Sequence, residues 1–295
     1  MFNTPILFAF YIREETTLKV FEKISEIKPA KLYLSSDGAR NRKDQIIIDS
    51  LRDKVLSMIN WPCQVRIKFN DSNLGCGEGM SSAVSWFFEN EESGIILEDD
   101  CLPSHSFFEF CENLLNIYKE DPDIWHITGS VLYKKENYKP SYYYSVYPGM
   151  WGWATWAKKW EKYQYNISNI DINIKNYKHY NKKIISTNFF KKIRNDVINK
   201  KIDTWDYQWI FTIWNNNGLC ITPNYNLISN LGFGDLATHT KNEIDIRSQI
   251  GMDDLNKIIH PKNKNQTYND NILKENYFSN PSLFKKIINK FKNFK

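Results

Sequence analysis

Short apolar runs alternate with amphipathic stretches through the first hundred residues of the chain. PILFAFYI (5–12) reads as a buried strand, and the segment from Thr16 to Ile27 then places Val20, Phe21, Ile24 and Ile27 on one helical face. KLYLSSDG (31–38) is a second strand ending in a turn signal. From Asp44 to Ile59, the residues Ile47, Ile48, Leu51, Val55, Leu56 and Ile59 recur at helical spacing. CQVRIKF (63–69) makes a third strand, NLGCGEGM (73–80) a glycine-rich loop, and Met80 to Phe88 a helix. GIILEDD (94–100) is a fourth strand that stops on three carboxylates. Strands separated by helices predict an α/β fold, with a mostly parallel sheet covered on both faces.

Beyond residue 100 the pattern loosens. A helix over about 104–118 is followed by a strand near IWHITGS (124–130) and a tyrosine-rich strand, SYYYSVYP (141–148). WGWATWAKKW (151–160) is dense in aromatics, and a lysine- and asparagine-rich stretch runs to about residue 203. An apolar helix around TWDYQWIFTIW (204–214), a strand GLCITPN (218–224) and a loop NLGFGDLATHT (230–240) complete the patterned part, with no repeat period.

Composition narrows the classes. With 42% hydrophobic and 25% charged residues over 295 positions, the chain is globular and long enough for a well-buried core. No stretch approaches the roughly 18 apolar residues of a membrane-spanning helix. The start, MFNTPILFAFYIREE, has neither basic residues before its apolar run nor a small-residue cleavage site after it, so it reads as a strand rather than a signal peptide. Five scattered cysteines without a C-x-x-C spacing suit a reducing cytoplasm better than a disulfide framework or a zinc site.

The formal charge of +5 is unevenly placed. Residues 282–295 hold Lys285, Lys286, Lys290, Lys292 and Lys295 and no acid, which leaves the rest of the chain neutral. In the same segment Leu283, Phe284, Ile287, Ile288, Phe291 and Phe294 recur at three- and four-residue spacing. That pattern is expected of a helix lying on an anionic membrane surface, the alternative being a solvated, frayed tail, and the first reading predicts a cytoplasmic protein held peripherally at the inner face. Elsewhere the basic residues interleave with acids, so no phosphate-tracking stripe for nucleic acid is evident.

The strongest chemical signal is Glu98-Asp99-Asp100. Open α/β sheets bind ligands at the carboxyl ends of their strands. Strand alternation would point Glu98 and Asp100 one way and Asp99 the other. Three adjacent carboxylates repel one another unless a cation joins them, and a divalent metal bridging to a diphosphate would supply it. The competing reading is helix capping, shared with Ser104. At the end of the second strand, Asp37 is placed to accept hydrogen bonds from a nucleobase or ribose, or else to make a plain Asp-Gly turn with Gly38. Gly75, Gly77 and Gly79 would allow close backbone approach to a ligand, but neither the G-x-G-x-x-G nor the P-loop pattern is present. Trp151, Trp153 and Trp156, joined by Trp205, would form a sugar-stacking wall unless they are core.

Together SSDGAR, WPCQV, DSNLGCGEGMSSAVSWFFE, GIILEDDCLPSHSFFEFC, WGWATWAKKW, DTWDYQWIF and SNLGFGDLATHT resemble the GT-A fold of nucleotide-sugar glycosyltransferases. The similarity is to the bacterial group known as hemolytic-protein-like or family-2-like, related in design to N-acetylglucosaminyltransferase I. It spans from about residue 5 to residue 240. The resemblance implies a GT-A domain over 1–260, with a nucleotide-sugar half to about 130 and an acceptor half over about 131–245. A linker (261–281) and the basic tail (282–295) would follow.

Residue by residue, the resemblance implies that Asp100 is the direct manganese ligand while Glu98 and Asp99 contact ribose and diphosphate. Arg13 and Asp37 would hold the uridine, with Asn73 and Gly75 lying against the nucleotide. Asp206 would be the base for the acceptor hydroxyl, and His239 would close over the diphosphate and join the metal shell. Asp235 stands one position before the acid of the family pattern GFGxDATHT. The implied reaction moves a sugar from a UDP-sugar to a hydroxyl of a glycan or lipid-linked acceptor with inversion, in surface polysaccharide or glycoconjugate synthesis.

The chemistry is coherent. A divalent cation and an imidazole stabilise a departing diphosphate, and the imidazole favours manganese over magnesium. The attacking hydroxyl must lose its proton to a carboxylate. Asp206 sits between Trp205 and Trp209, an apolar setting for a base, although an acid at a helix N-terminus also has a structural use. His105, His126, His179 and His260 read as ordinary satisfied histidines. Two other readings use the same features: a sugar nucleotidyltransferase, which expects a glycine-rich loop where this chain has YIREETTLK, and a non-catalytic carbohydrate-binding module.

Overall fold

Five apolar residues in succession, Ile6–Phe10, have no polar face to offer water, and all five are buried as strand β1. In this computed structural model, residues 2–131, 138–168, 174–181, 185–232 and 251–264 are described. After β1 come α1 (Glu14–Ile27), β2 (Lys31–Ser36), α2 (Arg42–Ser57), β3 (Gln64–Phe69), α3 (Gly75–Phe88) and β4 (Ser93–Glu98). The chain continues through β5 (Cys101–Pro103), α4 (His105–Ile117), β6 (Ile124–Thr128), β7 (Tyr142–Ser145) and β8 (Trp153–Trp156). It then forms α5 (Ala157–Trp160), α6 (Thr187–Ile198), α7 (Asp206–Asn215), β9 (Leu219–Pro223) and β10 (Ile228–Asn230).

Eight strands make one sheet in the order β3-β2-β1-β4-β8-β6-β9-β7. The first four are parallel, and β6 and β9 share their direction; β8 and β7 run against them. This is the mostly parallel, Rossmann-like α/β architecture expected of a GT-A fold. Register aligns Phe8 with Leu34 and Leu97 on one face, and Leu7 with Tyr33 and Ile96 on the other. On the first face Phe8 packs on Phe21 of α1, Arg52 of α2 lies over Phe69, and the Trp156 indole donates to the Leu115 carbonyl of α4. On the second, Tyr33 meets Trp86 and Phe87 of α3, and Trp153 meets Trp160 of α5 and Trp209 of α7. Both faces are therefore covered.

Three features depart from the sequence reading. Helix α3 begins at Gly75, so most of the glycine-rich segment is helix rather than loop. Strand β4 ends at Glu98, so strand alternation does not govern Asp99 and Asp100. Residues just past the triplet form β5, which pairs antiparallel with β10 in a second, two-stranded sheet. Residues 251–264 return across the fold: Asp253 and Asn226 exchange hydrogen bonds, and Ile259 pairs with Ser141. Among the described residues no helix is long and apolar enough to cross a membrane. The basic tail, 282–295, lies outside them.

Candidate functional site

From β1 the chain steps to β2 on one side, while β4 lies on the other, so connections leave the adjacent carboxyl ends of β1 and β4 in opposite directions. A crevice opens at such a switch point. Tyr11, Ile12 and Arg13 follow β1 there, and Glu98, Asp99 and Asp100 close β4. The Arg13 guanidinium binds both neighbouring carboxylates, with Nη2 2.5 Å from Asp99 Oδ1 and Nη1 2.9 Å from Asp100 Oδ2. The Tyr11 amide donates to Asp99 Oδ2 at 3.1 Å, and the Cys101 thiol to Asp100 Oδ1 at 3.3 Å. Leu231 N holds the Asp100 carbonyl at 2.7 Å, which ties the triplet to the end of β10.

Among the described residues the Glu98 side chain makes no hydrogen bond or ion pair, and it lines a cleft of about 800 Å³. Burial pushes its carboxyl well above the usual range, and Asp100 and Asp99 push it further. Burial also lifts Asp99 to about 6, against the pull of Arg13. Arg13 stays above its ordinary value because Asp99 and Asp100 outweigh the cost of its burial. Three carboxylates against one guanidinium leave the cluster negative, and hard oxygen donors of this kind suit a divalent cation. Among the described residues no three His, Cys, Asp or Glu side chains already form a metal cage. Glu98 and Asp99 line the cleft, while the two Asp100 oxygens accept from Arg13 and from the Cys101 thiol. His239 and Asp235, the other residues implied for the diphosphate end, lie outside the described residues.

Asp37 lines the same cleft, but its oxygens are committed. Oδ1 accepts from the Gly38 amide, Asn70 Nδ2 and the Leu74 amide at 2.9–3.0 Å. Oδ2 accepts from Asn73 Nδ2 at 2.9 Å, the Leu74 amide at 3.0 Å and the Gly75 amide at 3.1 Å. Asn73 also donates to the Gly38 carbonyl at 2.9 Å. Asp37 and Asn73 thus fasten the 70–75 segment beneath the cleft.

The next two amides of α3 go to a residue the sequence did not single out. Asp203 accepts from Cys76 N and Gly77 N, each at 2.9 Å. Gly75 has φ +82°, a left-handed conformation that favours glycine. A Cβ on Gly77 would sit 2.5 Å from Asp203 Oδ1 and 2.8 Å from the Thr204 carbonyl. Gly75 and Gly77 therefore admit the chain's own 203–204 turn, while Gly79 lies against Asp37 and, with Gly75, lines the cleft. No local motif marks Asp203, since its partners lie 126 and 127 residues away.

Asp206 opens α7, where Thr204 Oγ1 and, at 2.7 Å, the Tyr207 amide donate to its Oδ1. It is close enough to act electrostatically on Glu98 and on Cys76 of the cleft wall. Three of the four tryptophans expected to form a wall are core instead. Trp153 is fully buried, stacked on His126 at 5.3 Å and on Trp205 at 5.4 Å, and Trp205 and Trp156 are buried as well. Trp151 alone of the four is half-buried. On the wall of the cleft, the aromatic side chains are instead Phe10 and Tyr11, at the end of β1. His126 is satisfied on both sides, by the Gly149 carbonyl at 2.8 Å and the Trp209 indole at 3.2 Å.

No family model matches the chain, and no curated protein matches it. Among solved structures it is similar to a mannosyltransferase from Pyrobaculum calidifontis in complex with GDP-Man and Mn2+, at 10% identity over 55% of this chain and 48% of that one, with a TM-score of 0.40. It is also similar to S. aureus TarS 1–349, at 8% identity over 74% and 57% of the two chains with a TM-score of 0.37. A cytidylyltransferase from Leptospira borgpetersenii gives 10% identity over 55% and 63%, with a TM-score of 0.34. The chain thus spans about half to three-fifths of the length of these structures. All three are remote likenesses.

Proposed function

We propose that the chain is a metal-dependent glycosyltransferase that moves a sugar from a UDP-sugar to a hydroxyl of a glycan or lipid-linked acceptor, with inversion. The observation that carries this reading is the Glu98-Asp99-Asp100 cluster at the β1–β4 switch point, in which Arg13 bridges Asp99 and Asp100 while Glu98 and Asp99 line a cleft of about 800 Å³. That volume lies within the range of small-molecule sites. A cluster with more carboxylates than cations favours a ligand that brings a cation with it, as a metal diphosphate does.

In this reading Asp100, with Glu98 beside it, holds manganese or magnesium, and His239 would join them. The ion supplies positive charge to the departing diphosphate. Arg13 keeps Asp99 and Asp100 in place and remains charged at neutral pH. Tyr11 and Phe10 give the nucleoside an apolar wall. Asp206, at the start of α7, takes the proton of the acceptor hydroxyl as it attacks the anomeric carbon from the side opposite the diphosphate. The tail over 282–295 would bring the enzyme to an anionic membrane, where a lipid-linked acceptor resides.

The test is a panel of nucleotide sugars incubated with manganese and followed for release of nucleoside diphosphate. UDP release from at least one UDP-sugar is expected, abolished in Asp206→Asn with UDP affinity kept. Pyrophosphate release from a nucleoside triphosphate and a sugar phosphate, with no hydrolysis of any nucleotide sugar, overturns the reading in favour of a nucleotidyltransferase. Ligand binding without turnover in the wild type would make it a binding module. The anomeric coupling of the product decides inversion, and liposome co-sedimentation with and without 282–295 decides the membrane contact.

A further inference from the structure

The first amides of α3 are shared between two aspartates from distant parts of the chain. Asp37 takes Leu74 N and Gly75 N from the strand side, and Asp203 takes Cys76 N and Gly77 N from the segment before α7. Helix N-terminal amides have no partner within the helix and favour a negative charge, so both carboxylates are well placed. Their joint effect is mechanical. The end of α3 becomes the joint between the sheet end that carries the carboxylate triplet and the turn that carries Asp206.

That turn is stiff. Thr204 Oγ1 donates to Asp206 Oδ1, Gln208 Nε2 donates to the Thr204 carbonyl at 2.6 Å, and the Tyr163 hydroxyl donates to the Trp205 carbonyl at 3.1 Å. A shift at Asp203 is therefore passed to Asp206 three residues on. Contact with α3 is close as well: a methyl group on Gly77 would meet Asp203 Oδ1 at 2.5 Å, the Tyr165 hydroxyl at 2.7 Å and the Thr204 carbonyl at 2.8 Å. Gly77 leaves just enough room for the turn to dock.

We propose that Asp203 is a positioning residue that clasps the 203–206 turn to the N-terminus of α3 and so fixes Asp206 relative to the donor cleft. The inference rests on the reading of Asp206 as base. Both oxygens of Asp203 accept main-chain amides, which commits its carboxylate to the clasp. It is exposed, so replacing it leaves the core intact.

Two variants reach the clasp by different routes: Asp203→Ala removes the carboxylate, and Gly77→Ala pushes the turn away without altering charge. Each is measured for kcat and donor KM in nucleotide-sugar hydrolysis, for UDP affinity with manganese by calorimetry, and for deuterium exchange of the Cys76 and Gly77 amides. Both variants should lower kcat at least about tenfold while donor KM and UDP affinity stay within about threefold. Amide exchange should quicken about tenfold in Asp203→Ala, and Asp203→Asn, which keeps one acceptor oxygen, should recover part of kcat. Unchanged kcat overturns the proposal, and so does a fall in UDP affinity as large as the fall in kcat. If the wild type turns over no donor, the base reading fails and the catalytic half of the inference falls with it. The exchange arm still decides the clasp, since amides no faster in Asp203→Ala would reject it.

Discussion

Arg13→Ala removes the only cation that touches Asp99 and Asp100 among the described residues. Breaking a buried ion pair by deleting one partner costs about 3–5 kcal/mol, because the remaining charge stays buried without compensation. Two features reduce that figure here. The Arg13 side chain keeps 20% of its exposure, and Glu98 has a raised proton affinity through which the cluster sheds one charge. The expected loss is about 2–4 kcal/mol, or about 3–6 °C in melting midpoint for a chain of this size. The assay is calorimetric melting at neutral pH, with and without millimolar manganese. A divalent cation should restore more of the midpoint in Arg13→Ala than it adds to the wild type, because the variant lacks the competing guanidinium. Arg13→Lys should recover less than half of the loss, since an ammonium cannot reach both carboxylates in fork geometry. A midpoint within about 1 °C of the wild type, unresponsive to manganese, would refute the account of the cluster.

Other consequences are as direct. His126 is fully buried, and burial lowers it to about 4 from an ordinary value near 6.5. Between those values the unfolded chain binds the extra proton, so about 3 kcal/mol of stability is lost as pH falls from about 6.5 to 4. Urea midpoints of the wild type should fall over that window more steeply than those of His126→Gln, and parallel curves would contradict this. Trp153→Ala should cost about 3–5 kcal/mol and lower the melting midpoint accordingly, because the indole is core packing. A loss of sugar binding at unchanged stability would instead restore the wall. Asp37→Ala leaves the Leu74 and Gly75 amides without their carboxylate and should cost about 1–3 kcal/mol, read by urea denaturation. No measurable change would mean that Asp37 does not fasten the 70–75 segment.

The parts of the fold that were legible in the sequence are those with a local period. The buried runs of β1, β2 and β4 and the apolar faces of α1, α2, α4 and α7 announce themselves, and so does a triplet of acids at a strand end. What was not legible depends on partners far away in the chain. Strand β5 is three residues long and exists because Ile228–Asn230 pairs with it. The glycines of α3 look like loop, yet carboxylates 38 and 126 residues away accept the amides of Gly75 and Gly77 and let the helix begin there. Asp203 carries no local signal for the same reason. The tryptophans misled because aromatic density does not distinguish a stacking surface from a core. In β8, Trp153 and Trp156 point to opposite faces of a sheet that helices cover on both sides, so both are buried. Asp37 lies at the cleft as expected, while all its donors but the Gly38 amide come from a segment more than thirty residues away.

The central claim is that the Glu98-Asp99-Asp100 cluster holds a metal-bound nucleoside diphosphate. Calorimetric titration of UDP into the full chain with manganese, compared with Asp100→Ala, tests it most directly. Metal-dependent binding in the wild type, weakened at least about tenfold (about 1.4 kcal/mol) in the variant, is the predicted result. Binding that is equal in the two proteins, or indifferent to manganese, would contradict it.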